Sequence, residues 1–200
     1  MELTLFLLLI IQRLSLIFNL RIINFSYSSY ITLKVKGSGK IKVYDSRTPD
    51  EIYINDINQT NISNIYNLNK EDIIKLVWND NLESCGFMFC GCSNITEIDL
   101  SHFDSSQVSR MTSMFLGCSS LTSINFNNFD TSQVTSMDKT FYGCSSLSSI
   151  DLSSFITSNV QYMYYMFANC KSLTSLNLSN FDTSKLNDIE SIFEGCSNLE

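Results

Sequence analysis

Cysteine stands at 92, 118, 144, 170 and 196, once every 26 residues, and a phenylalanine stands three residues before each: Phe89, Phe115, Phe141, Phe167 and Phe193. Self-similarity at a fixed period constrains a fold more tightly than local propensity does, because each unit must bury its apolar side against copies of itself. Behind the first four cysteines comes an L-x-x-L-x-L pattern: Ile95, Ile98, Leu100; Leu121, Ile124, Phe126; Leu147, Ile150, Leu152; Leu173, Leu176, Leu178. Three residues further on stand Phe103, Phe129, Phe155 and Phe181.

The L-x-L portion alternates with period 2, which predicts a short strand with those side chains on one face. Beyond it Val134, Met137, Phe141 and Cys144 fall at i, i+3, i+7 and i+10, the stripe of a short amphipathic helix. Asp104, Asp130 and Asp182 precede the stripe, where a carboxylate caps a helix; Ile156 breaks the rule and leaves that cap to Thr157 or Ser158. Gly91, Gly117, Gly143, Asn169 and Gly195 precede the cysteines, and these two residue types best tolerate the left-handed backbone that closes a helix. Thr140 stands where three other copies carry Met. One repeat thus reads as a strand plus a helix. About eight large inward side chains per repeat, each contributing ~1.5–3 kcal/mol when buried, are covered only when repeats stack. The expectation is an α/β, right-handed leucine-rich-repeat solenoid, strands on one face and helices on the other, behind a small β-hairpin cap.

Residues "MFLGCSSLTSINFNNFDTSQVTSM", from Met114 to Met137, carry a resemblance to the 26-residue leucine-rich repeat of BspA-like surface proteins of bacteria and protists, found also in mycoplasma-type lipoproteins. It covers roughly residues 82–200. The resemblance implies a secreted or surface-anchored protein used in adhesion or recognition, without enzymatic activity. The sequence stops at Glu200, partway through a repeat, so a truncated last repeat with a sticky outer edge is expected, and with it self-association through the uncapped C-terminal coil.

Residues 1–83 carry nine basic and nine acidic groups, and residues 84–200 four and eleven, so the net charge of −7 lies in the repeats. That sign argues against nucleic acid as a partner. The N-terminus is apolar from Leu3 to Ile11 with a small-residue exit at Ser26-Tyr27-Ser28, which reads as a secretory signal over 1–28; Glu2, Arg13 and Arg21 fit it imperfectly. Residues 29–65 read as a β cap, 66–91 as a lead-in coil and 92–200 as the repeats. In the cap, "YITLKVKGSGKIKVYD" reads as a hairpin turning at Gly-Ser-Gly, "EIYIN" as a further strand, and "DINQTNISN" as a loop whose sequons at Asn58 and Asn61 offer glycan acceptor positions.

Cys92, Cys118, Cys144, Cys170 and Cys196 read as a buried ladder of small hydrophobes rather than disulfides or metal ligands. Cys85 shares the inward slot of Met111, Met137 and Met163, and Cys90, in the slot of Leu116, Tyr142 and Ala168, is the thiol expected to react. His102 stands in a loop slot and no nucleophile elbow or phosphate-cradling loop is present, so neither an enzyme nor a cofactor is indicated. Binding is then sought in outward slots. One column of the strand face holds Asp99, Asn125, Asp151 and Asn177, flanked by Glu97, Ser123, Ser149 and Ser175; calcium coordination and a hydrogen-bond ladder are the two readings, and the acid–amide alternation favours the ladder. On the other face Tyr142, Tyr162, Tyr164 and Tyr165 form either a contact patch or packing between neighbouring helices. The functional expectation is a non-enzymatic, secreted or cell-surface adhesion or recognition protein that makes weak multivalent contacts with protein or glycan partners. An intracellular repeat scaffold for protein–protein interaction is the alternative.

Overall fold

The computed structural model describes residues 29–187 and 189–200. The expected signal segment lies outside them. Eight strands run in order: β1 (Ser29–Val35), β2 (Gly39–Lys42), β3 (Glu51–Ile54), β4 (Ile57–Asn58), β5 (Ile65–Leu68), β6 (Ile73–Trp78), β7 (Ile95–Asp99) and β8 (Ser123–Asn125). The described residues contain no helix. The α/β leucine-rich-repeat solenoid is therefore overturned: the described residues are all-β, built on a mixed sheet, and the side expected to be helical is made of chained turns.

Two left-handed residues per coil explain why no helix forms. Gly91, Gly117, Gly143, Asn169 and Gly195 all have φ between 60° and 72°, and a second column four residues earlier does the same with no glycine: Phe87, Ser113, Lys139, Tyr165 and Ser191 at φ 53–59°. A right-handed helix cannot run through residues of this conformation. Between them the backbone N–H groups alternate. Met111, Ser113, Phe115 and Gly117 donate to carbonyls of Ser136, Asp138, Thr140 and Tyr142 in the next coil, whereas Met114, Leu116 and Cys118 donate to Met111, Ser113 and Phe115 three residues back. A helix would send all of them four residues back. The turn ribbon still presents an inward stripe, since Val134, Met137, Phe141 and Cys144 are fully buried.

Stacking is direct. Phe89, Phe115, Phe141, Phe167 and Phe193 form a row with ring centroids 5.3–5.8 Å apart and planes within 12° of parallel. Beside it a row of buried hydroxyls repeats: Ser105, Thr131 and Thr157 accept from the N–H of Asp130, Ile156 and Asp182 at 2.7–2.8 Å. Thr157 consequently serves the next coil and does not cap its own, contrary to expectation. Thr140 is fully buried in its Met slot, with its hydroxyl directed at the carbonyls of Met137 (2.7 Å) and Met111 (3.1 Å).

The cap is not a hairpin. β1 lies antiparallel between β6 and β7, and β2 pairs with β5 in a separate two-stranded sheet. The Gly-Ser-Gly turn therefore hands the chain from one sheet to the other, and the partner of each strand is set by residues distant in sequence. The loop expected over "DINQTNISN" contains β4, paired with β3. The main sheet runs β4-β3-β6-β1-β7-β8, its last pair parallel. Of the expected repeat strands only β7 and β8 form; the equivalent segments in the following two coils have no strand. β1 closes the first coil as an extra layer. Ile31, Leu33 and Val35 enter the common core, and Ser29 Oγ accepts from the Asp104 N–H at 2.9 Å, the role that buried hydroxyls play between later coils.

Candidate functional site

Two exposed faces carry side chains capable of recognition: the outward face of the main sheet and the turn ribbon around Tyr165. On the sheet, register sets Thr32 opposite Asp99 and Asp99 opposite Asn125, with Lys34, Glu97 and Ser123 forming the next row. Lys34 Nζ pairs with Glu97 Oε2 at 2.8 Å, and this carboxylate raises the pKa of the ammonium above the usual lysine value. A shallow depression of about 340 Å³ lies over these rows, with the half-exposed Ile73 at its side.

The acid–amide column is hydrogen-bonded chiefly along its own chain. Asp99, Asn125, Asp151 and Asn177 each accept, through Oδ1, the N–H two residues on, at 2.9–3.0 Å. These bonds hold the Asp151 carboxyl below the usual carboxylate value. One bond crosses between coils, from Asn125 Nδ2 to Asp99 Oδ1 at 3.0 Å. Among the described residues no group of three or more His, Cys, Asp or Glu could hold a metal ion.

Sequence reasoning missed the part of this face that the cap supplies. Tyr30 stacks on His102 with centroids 4.6 Å apart, and Lys75 Nζ sits 4.1 Å from the Tyr30 ring centre and 5.8 Å from that of Tyr53. Tyr53 in turn donates its hydroxyl to Glu51. These residues come from β1, β6, β3 and the segment after β7, so no local pattern joins them. The outward slots of the expected strands were the available signal, and only the pairing could show that they share one face.

On the turn ribbon three of the four tyrosines meet. Tyr164 packs edge-on to Tyr165 at 5.9 Å, Tyr142 tilts against Tyr165 at 6.3 Å, and Lys139 Nζ lies 5.3 Å and 5.8 Å from the Tyr164 and Tyr165 ring centres. Tyr162 has no ring partner among these and is 42 % exposed. Beneath them Asp138 is buried, accepting from Ser136 Oγ at 2.9 Å and from the Tyr164 N–H at 3.2 Å. The tyrosines therefore combine a packed cluster with one projecting ring.

All seven thiols are free. Cys92, Cys118, Cys144 and Cys170 are buried, and Cys196 is half-buried in the last coil. The Sγ atoms of Cys118, Cys144, Cys170 and Cys196 donate to the carbonyls of Phe89, Phe115, Phe141 and Phe167 at 3.0–3.3 Å. Burial pushes Cys85, Cys92 and Cys170 up to about 12. Cys90, the thiol expected to be reactive, is also raised, by burial first and then by Asp45, despite the Lys42 ammonium nearby. A raised thiol is a weaker nucleophile at neutral pH because less of it is thiolate. Asn58 and Asn61 are exposed, and Asn58 Nδ2 donates to Glu51 Oε2 at 3.3 Å. In the last coil Ile189 and Phe193 are exposed.

Residues 83–200 match the model of a protein family described as a Mycoplasma protein of unknown function, DUF285. No curated protein and no solved structure matches the chain.

Proposed function

We propose, from the premise that this chain belongs to the DUF285 family of Mycoplasma proteins of unknown function, that it is a non-enzymatic recognition module displayed at a cell surface or secreted. The observation that carries this reading is the rigid, periodic display of small polar groups on the strand side: one hydrogen-bonded Asp or Asn per coil at 99, 125, 151 and 177, flanked by hydroxyls. Such a face makes the same modest contact at each coil and gains strength by repetition and by clustering of molecules. The resemblance of the repeats to BspA-like surface proteins supports it, as do the exposed asparagines of both sequons. No convergent nucleophile, base and oxyanion donors occupy either face.

The test is attachment to an extracellular-matrix preparation, comparing free chain with chain arrayed at high density on beads. Retention of beads with weak binding of free chain supports the reading; equal absence of both removes it. A second reading, an intracellular scaffold, is favoured by one observation: seven free thiols, which suit a reducing compartment. Mass spectrometry of the native protein separates the two. Unmodified Asn58 and Asn61 together with an intact Met1 favour the scaffold.

A further inference from the structure

We infer that the outward face where β1, β7 and β8 meet is a binding site for an uncharged, linear polysaccharide, held at one sugar unit per coil. This rests on the surface-recognition reading and names the chemistry of its ligand. The geometry starts from the depression of about 340 Å³ lined by Thr32, Ile73, Glu97, Asp99, Ser123 and Asn125, a size within the range of small-ligand sites.

Its polar groups are held in place and incompletely used. Asp99 Oδ1 is engaged by the Ser101 N–H (2.9 Å) and the Asn125 amide (3.0 Å), while its second carboxylate oxygen makes no hydrogen bond among the described residues. The hydroxyls of Thr32 and Ser123 likewise make none. A carboxylate oxygen beside free hydroxyls and an amide is the donor–acceptor set that a sugar diol satisfies, and fixing it before binding lowers the ordering cost. Ile73, 51 % exposed, offers an apolar surface to the C–H side of a pyranose ring.

Charge selects against acidic chains. Glu97 already neutralises Lys34, the lysine that lines the depression, at 2.8 Å, and Lys75 beside it is held over the Tyr30 ring at 4.1 Å, so a sulfate, phosphate or uronate would meet Asp99 before it met a lysine. A peptide adding to the sheet would pair with the backbone of the outer strand β8, whereas the polar groups that line this depression project from the sheet's face. Linearity follows from the column: Asp151 and Asn177 repeat the pinned geometry of Asp99 and Asn125 in the next two coils. β7 and β8 are hydrogen-bonded neighbours, ~4.8 Å apart, and in the later coils the stacked Phe rings lie 5.3–5.8 Å apart, spacings close to the length of one pyranose unit in an extended chain.

The experiment titrates the intact 200-residue chain calorimetrically with cellulose- and chitin-derived oligosaccharides of two to six units, and with a sulfated oligosaccharide of matching length. Affinity should rise at least tenfold between two and five units in one neutral series and then level off, with the sulfated chain unbound. Ser123→Arg and Ser149→Arg, which place bulk in the exposed flanking column, should each weaken that binding tenfold or more without changing the melting temperature. Asp99→Asn, which keeps the turn hydrogen bond, should weaken it less. Absence of binding to every neutral chain, tighter binding of the sulfated one, or undiminished binding by both arginine variants overturns the inference. If the beads still attach to matrix and Ser123→Arg abolishes that attachment while neutral sugars are ignored, the ligand is a protein; this inference then falls and the surface-recognition reading stands.

Discussion

Cys144 donates its thiol hydrogen to the carbonyl of Phe115, 3.3 Å away and one coil earlier, and the next cysteines repeat the contact. The same side chain thus fills space in the Phe row and gives a second donor to a carbonyl that already accepts the Cys118 N–H at 3.0 Å, as an alanine or a valine could not. Cys144→Ala should cost about 1–2 kcal/mol through lost packing and a weakened carbonyl, read from urea denaturation.

Buried thiols also fix how stability depends on pH. Cys85, Cys92 and Cys170 titrate near 12 in the folded chain against 9.0 in their reference state. Below pH 9 these groups are protonated in both states and the stabilisation is complete. Above it the unfolded chain loses protons that the folded chain keeps, so stability falls by about 1.4 kcal/mol per pH unit per buried thiol. The fall continues towards pH 12. Thermal melting should be flat from pH 7 to 8.5 and drop steeply from pH 9 to 10, and a Cys85→Ala variant should show a shallower drop.

Left-handed residues at 113 and 117 give substitutions whose signs oppose those of a helix. Gly143, at φ 72°, has room for a Cβ, its nearest neighbour being the Gly117 Cα at 3.7 Å, so the cost of Gly143→Ala is backbone strain, about 1–2 kcal/mol. Ser113, at φ 57°, bears that strain already. Ser113→Gly should be stabilising by up to about 1 kcal/mol. In a helix the first change would stabilise and the second destabilise, so the pair of urea curves discriminates the turn ribbon from any helical alternative.

The period, the inward slots and the left-handed positions at Gly117 and Asn169 were legible because they depend only on which side chains must be hidden and which backbones are cheap. The helix was misread because a ribbon of chained turns hides Val134, Met137, Phe141 and Cys144 at the same spacing. The second left-handed column, filled by Phe87, Ser113, Lys139, Tyr165 and Ser191, has no residue type in common to announce it. In the cap, Gly-Ser-Gly marked a turn correctly and its partners wrongly. Leu33 pairs with Ile98 and Ile74, and Ile41 with Tyr66, choices made by contacts that no local window contains. The Tyr30, His102 and Lys75 stack was invisible for the same reason.

Tyr165 and Tyr162 should behave differently. Tyr165 is held between Tyr142 and Tyr164 with Lys139 beside it, and Tyr165→Ala should cost about 1–2 kcal/mol. Tyr162, 42 % exposed with no ring partner in the cluster, should change stability by less than about 0.5 kcal/mol when replaced by alanine. Loss of matrix attachment in Tyr162→Ala at unchanged melting temperature would place a contact on the turn face; unchanged attachment would leave the tyrosines as packing.

Position 156 is where the repeat departs from its own rule, and the departure is correctable. Asp104, Asp130 and Asp182 each accept the N–H two residues on through Oδ1, at 3.0, 2.8 and 2.9 Å. Ile156 occupies that slot half-exposed and offers no acceptor to Ser158. Its backbone is nonetheless fixed, because Thr131 Oγ1 accepts from the Ile156 N–H at 2.8 Å and donates to the Ile156 carbonyl at 3.0 Å. Ile156→Asp should therefore stabilise by about 0.5–1 kcal/mol, adding a turn hydrogen bond and withdrawing an exposed apolar chain. Thr131→Val, isosteric at a fully buried site, removes both hydroxyl bonds to the Ile156 N–H and carbonyl, which should cost about 1–3 kcal/mol. If the buried hydroxyl row joins one coil to the next, Ile156→Asp will not rescue Thr131→Val, since the carboxylate serves its own coil. Additive unfolding free energies in the double variant would show that independence.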